Sequence, residues 1–157
     1  MTEEAMKGPG SMKGQGVIRA SWAGTIILGV GTVAGVAVPD QLAWLGFAVS
    51  LALFLIGCVV FAWAFVLAAA RSRTDEIAVS NLYLLSGAPS AVKTQLFGSL
   101  AAEVIIAFGT AAARPYTIAA TAILAPVYAL GLCGLWSARY GTFSPRKPPP
   151  KRKPRRK

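Results

Sequence analysis

Residues 42–70 read LAWLGFAVSLALFLIGCVVFAWAFVLAAA, twenty-nine positions without one charged side chain. As a helix rising about 1.5 Å per residue the stretch is about 43 Å long, against about 30 Å for the hydrocarbon core of a bilayer. A surface helix of a soluble domain needs only one apolar stripe, whereas this one is apolar all round. It therefore reads as a membrane span. Trp44 stands near its start and Trp63 and Phe65 towards its end, where interfacial aromatics belong. Arg71 and Arg73 stop it, and its excess length predicts tilt or a last turn outside the bilayer.

Three further spans follow from the same pattern. Residues 17–38 form an apolar segment closed by Pro39 and Asp40; Lys7, Lys13 and Arg19 at its start and Gly35-Val36-Ala37 at its end also fit a cleavable signal peptide. The second span beginning within four residues fits an uncleaved hairpin better. Gly31 and Gly35 make a GxxxG pair, which lets two backbones approach closely in lipid, either against residues 42–70 of the same chain or at a partner protein. Residues 96–113 are interrupted by Glu103, and 116–136 contain Pro126, where a lost backbone hydrogen bond predicts a kink, and Gly131 and Gly134 near the end. The polar connection around Thr74, Asp75 and Glu76 precedes Ile77, Val79, Leu82, Leu84 and Leu85, which predict a short helix on the cytoplasmic side, either lying along the membrane surface with Tyr83 at the interface or packed beneath the bundle.

These elements define an all-α integral membrane protein of four transmembrane helices arranged as two hairpins. Residues 1–16 are a mobile leader, 17–143 the membrane domain and 144–157 a disordered basic tail. Only 14% of the 157 residues are charged, against roughly 25% in soluble domains. There is no histidine, the commonest general base and metal ligand. Cys58 and Cys133 lie far apart in apolar stretches, so they read as small buried hydrophobes rather than as a metal or redox pair. No cofactor is implied.

Charge distribution sets the orientation. With four spans, Arg114 is the only one of the 16 basic residues on its side of the membrane, so the positive-inside rule places both termini in the cytoplasm and the chain in the cell inner membrane as a multi-pass protein. The tail bases Arg146, Lys147, Lys151, Arg152, Lys153, Arg155, Arg156 and Lys157 alternate with prolines and cannot form a core. They serve as a topology signal, bind anionic headgroups of membrane lipids at about 1 kcal/mol each, or bind an acidic partner. No aromatics interleave them, which argues against nucleic acid. Glu103 is the one ionisable residue inside a span, where an acid is by default a functional candidate. Arg139, Arg19, Ser99 and Thr121 are its candidate bonding partners; contact with a second subunit and proton or substrate handling are the other readings.

Asn81-Leu82-Tyr83-Leu84-Leu85-Ser86-Gly87-Ala88-Pro89, Ala113-Arg114-Pro115-Tyr116-Thr117 and the run from Gly131 to Phe143 resemble a group of small actinobacterial four-span membrane proteins. The resemblance covers residues 70–145 and carries no motif of known chemistry, so it transfers no functional residue. It implies an accessory subunit of a larger envelope machine, and the Mce-type lipid importers of mycobacteria are the example the chain resembles. The residues alone point the same way. Neither paired carboxylates nor a nucleophile with its base can be assembled, which argues against an enzyme. Gly31, Gly35, Gly131, Gly134 and Glu103 are the candidate positions for helix packing or partner docking. A small oligomeric transporter or channel using Glu103 is the alternative.

Overall fold

The computed structural model describes residues 13–146. Within them run α1 (Gln15–Ala37), α2 (Pro39–Arg71), the short α3 (Val79–Tyr83), α4 (Ser90–Ala113), a 3-10 segment (Ile118–Leu124) and α5 (Val127–Tyr140). No strand forms among the described residues; one isolated bridge pairs Asp75 with Pro145. Four stretches, Gln15–Ala37, Asp40–Arg71, Ser90–Ala113 and Ile118–Tyr140, are long and apolar enough to cross a membrane. The chain is thus all-helical with the build of a multi-pass membrane protein.

The boundaries differ from the sequence reading in ways that local chemistry explains. The turn between the first two spans is shorter than expected. Val38 alone links them, because Pro39 occupies the first helical position of α2, where its fixed φ suits a helix and its missing N–H costs nothing. Likewise α4 starts at Ser90, six residues before the apolar run. Its polar first turns are held by Thr94 donating to Ser90 O and by the Trp22 indole donating to Gln95 Oε1 at 2.9 Å.

The fourth span is not one kinked helix over 116–136. Its first half is a 3-10 segment, with Ala120 N–H bonding Thr117 O and Ala125 N–H bonding Ala122 O, each at 3.0 Å. Pro126 cannot donate, and its ring crowds the carbonyl four residues back, so the tighter three-residue pattern replaces the α ladder ahead of it. Beyond the break α5 extends to Tyr140, four residues past the predicted end. The expected interfacial helix shrinks to five residues. It ends at Tyr83 with Leu84 as its C-cap, after which Leu85 takes a left-handed φ of 53° and turns its side chain into the core. Leu82 packs with Ala68 and Ala138, and Leu85 with Ile18, Val92, Leu96, Cys133 and Trp136. Tyr83 lies on Phe61, with ring centroids 4.5 Å apart, and donates its hydroxyl to Phe61 O; burial raises its phenol pKa above the usual value. Cys133 is buried as expected, whereas Cys58 is exposed on the outward side of α2.

The bundle closes where backbones nearly touch. The widest contact is between α2 and α5, and at its centre Gly57 meets the start of α5. A β-carbon at Gly57 would lie 2.6 Å from Tyr128 N, and one at Gly131 would lie 2.9 Å from Gly57 O. In lipid, helices associate through such close packing rather than by excluding water. Between α1 and α2, Gly46 faces the Gly31 carbonyl and Gly35 faces Leu42 and Ala43, so these helices run antiparallel. Leu28 of α1, Leu53 of α2 and Ala125 fill the centre.

Gly57→Ala should destabilise the purified protein by about 1–3 kcal/mol, because the new methyl meets backbone that cannot move aside. Gly109→Ala, where nothing lies within 4 Å of the new atom, should be neutral or stabilise by up to about 1 kcal/mol. Thermal unfolding in detergent measures both.

Candidate functional site: a buried polar seam between α1 and α4

Two polar pairs at four-residue spacing face one another across the α1–α4 contact. Ser21 and Thr25 come from α1, Ser99 and Glu103 from α4, and all four are buried. The spacing puts each pair on one stripe of its helix, and because 21 meets 99 while 25 meets 103 the two helices run parallel. The Ser21 and Ser99 hydroxyls hydrogen-bond each other. Thr25 Oγ1 lies 3.1 Å from Ser21 O, 3.3 Å from Glu103 Oε1 and 3.4 Å from Ser99 O. Ser99 Oγ also donates to Leu96 O.

Glu103 is 0% exposed, and its Oε2 has no hydrogen-bond partner. Of the partners the sequence suggested, Ser99 lies in the same seam, reached through Thr25, and the other three lie elsewhere. Arg19 and Arg139 are exposed on the surface, and Thr121 donates to Ile118 O in its own 3-10 segment. Thr25 bonds the carboxyl instead, and the Ala129 backbone N–H in the first turn of α5 lies close to it. That position follows from the Pro126 break. A helix starting inside the bundle brings unpaired N–H groups to membrane depth, and a carboxyl is a fitting neighbour for them. Tyr128 stands beside Glu103 and donates to Ala20 O at 3.0 Å, its ring lying over Gly24.

The glycines singled out in the sequence all lie inside the chain's own packing. Gly31 and Gly35 face α2, Gly131 faces Gly57 and Phe61, and Gly134 lies under the Tyr83 ring. Ser21, Thr25 and Gly57 went unmarked in the sequence. The signal for the first two was the matched pattern Ser-x3-Thr on α1 and Ser-x3-Glu on α4.

A second polar centre ties the C-terminal ends of α2 and α5 together. Arg71 donates to Ala138 O at 2.8 Å and Gly141 O at 3.2 Å, pairs with Asp75 at 2.9 Å and lies over the Phe143 ring. Arg146, read from the sequence as a headgroup-binding base, donates its guanidinium to Ser72 O and its backbone N–H to Thr74 O. Lys147, Lys151, Arg152, Lys153, Arg155, Arg156 and Lys157 lie outside the described residues. At the other end of the bundle Arg114 donates to Val36 O and so closes the last turn of α1. A cleft of about 550 Å³ lies beside Lys13, Ala88, Val92, Trp136 and Tyr140 and does not reach Glu103. Among the described residues no three His, Cys, Asp or Glu side chains gather in one place.

Comparison with family models, curated proteins and solved structures finds no match to this chain.

Arg71→Gln should release the segment after α5. Amide exchange at Glu76, Thr142 and Arg146, whose N–H groups join that segment to the rest, should rise roughly tenfold, which corresponds to about 1.4 kcal/mol. Hydrogen-exchange mass spectrometry reads it.

Proposed function

We propose that the chain is a non-catalytic accessory subunit that stabilises a larger complex in the cell inner membrane, its four spans forming two hairpins with both termini cytoplasmic. The observation that carries this reading is the outer surface of α2. With 33 residues it is about 50 Å long, and Leu51, Leu55, Val59 and Val66, with Ile56 and Trp63 beside them, are exposed along it. The chain's own helices cover the other side through Gly46 and Gly57. Acyl chains cover an apolar ridge as well as protein does, so it is the length of α2, about 50 Å against about 30 Å of hydrocarbon, that suits contact with a neighbouring subunit. The polar groups at membrane depth, by contrast, are engaged in joining α1 to α4.

The basic surplus supports the orientation, and the tail bases would hold anionic headgroups on that side. A complex that imports lipids is the candidate that the sequence resemblance nominates. A small oligomeric transporter is the second reading, favoured by the break at Pro126 beside Glu103, since discontinuous helices line substrate and ion sites in transporters.

Affinity purification of the tagged chain in a mild detergent at native expression, followed by mass spectrometry, tests the choice. The accessory reading expects a larger membrane complex in stoichiometric amount. Recovery of this chain alone or as a homo-oligomer would overturn it in favour of the transporter. Single-cysteine labelling in intact cells should find position 144 protected and position 116 reactive; the reverse result would overturn the orientation.

A further inference from the structure

We propose that the cleft beside Lys13, Trp136 and Tyr140 binds the headgroup of one anionic phospholipid of the cytoplasmic leaflet. The site is independent of the accessory role and draws on the proposed orientation only to name the leaflet. Its depth comes first. Trp44 and Trp63 are both exposed on α2, and the helix between them is about 28 Å long. That matches a hydrocarbon core of about 30 Å, so the two indoles mark its boundaries. Ala138 of α5 packs with Ala68, about 8 Å beyond Trp63, and Tyr140 follows at the end of α5. On α4, Val92 lies one turn before Gln95, which bonds the indole of Trp22, a third exposed tryptophan. The cleft, lined by Val92, Trp136 and Tyr140, is therefore about 5–10 Å outside the hydrocarbon. The polar layer on each face of a bilayer is about 5–8 Å thick, so this is the level of the lipid phosphates.

The lining combines an apolar floor with one charge. Trp136, only 2% exposed, forms the floor with Ala88 and Val92, and the Tyr140 ring leans against it, centroids 5.8 Å apart. Lys13 is the only charged residue of the lining, and it is exposed. Two features fix it there. The Trp136 indole donates to Lys13 O at 3.0 Å, and Gly14 takes a left-handed φ of 78° against the two rings. A β-carbon at Gly14 would lie 2.5 Å from Trp136 Nε1, so the chain passes this closely only as glycine. Lys93 and Arg139 adjoin lining residues in the chain, no acid lines the cleft, and Asp75 is already paired with Arg71. Charge and depth thus both favour a lipid phosphate. The cleft's 550 Å³ is in the range of about 300–1,000 Å³ that takes small organic groups, which suits a headgroup with its glycerol and leaves the acyl chains in the bilayer. A free phosphate would leave the aromatic floor uncovered.

The test titrates the full-length protein in mild detergent with phosphatidylglycerol or phosphatidylcholine of the same acyl chains, read by native mass spectrometry. One phosphatidylglycerol per chain should be retained, roughly tenfold more tightly than phosphatidylcholine. Ala91→Trp, at an exposed position on the cleft wall, should fill the cleft and abolish retention. Lys13→Glu should weaken it roughly tenfold. Equal retention of the two lipids would overturn the proposal. So would wild-type retention by Ala91→Trp, because the lipid would then sit elsewhere, on the basic tail for example. If Ala91→Trp does not fold, Lys13→Glu decides, and an unchanged affinity overturns the site. Retention that appears only when Glu3→Gln and Glu4→Gln are introduced would overturn it too, since those carboxylates would then be the occupant. A reversed orientation in the cysteine labelling would change the leaflet and leave this readout untouched.

Discussion

A chain in hydrocarbon has no water to satisfy its backbone, so every N–H and C=O at membrane depth must find a partner within the protein. Three of the four long stretches meet this constraint with unbroken α-helix. The fourth does not, because Pro126 interrupts it. The 3-10 bonds ahead of the proline satisfy carbonyls that an α ladder would have left free, and the start of α5 lies next to the one buried carboxyl in the bundle. The break and the acid belong to one arrangement, since a helix beginning inside the bundle and a side chain that accepts hydrogen bonds compensate each other.

Close packing does the rest. Lipid tails are as apolar as leucine, so burying leucine against leucine gains little over leaving it in lipid, and the helices hold together where small residues let backbones meet. Gly57 against Tyr128 and Gly131, and Gly46 against Gly31, are such close backbone approaches between spans. The polar seam of Ser21, Thr25, Ser99 and Glu103 adds hydrogen bonds between α1 and α4. At one end Arg71 takes the Ala138 and Gly141 carbonyls at the C-terminus of α5, and at the other Arg114 takes the Val36 carbonyl in the last turn of α1. Both cations sit where the negative ends of helix dipoles favour them.

Much of the candidate site was legible as composition and little of it as contact. Glu103 stood out because an acid within an apolar run is rare, yet its partner was not an arginine. Long cationic side chains at a span's end reach outward to water, and Arg19 and Arg139 remain on the surface. Thr25 was invisible for the opposite reason: threonines are common in membrane helices, and only the register between α1 and α4 singles this one out. The Gly31–Gly35 pair was legible as a packing face with residues 42–70 as its counterpart in the same chain, and what the sequence left out was the register, which sets Gly31 against Val49 and Gly35 against Leu42 and Ala43.

The sequence by itself determined that four stretches are long and apolar enough to span a membrane, because that follows from length and the absence of charge. It also marked Pro126 as a break, since proline lacks the N–H wherever it is placed. Only the tertiary structure decided that the break becomes a 3-10 segment, that Gly57 meets α5 and that Thr25 faces Glu103. Those outcomes depend on the axial offset and rotation of one helix against another. That register is set by side chains interlocking across the whole bundle, and no local stretch encodes it.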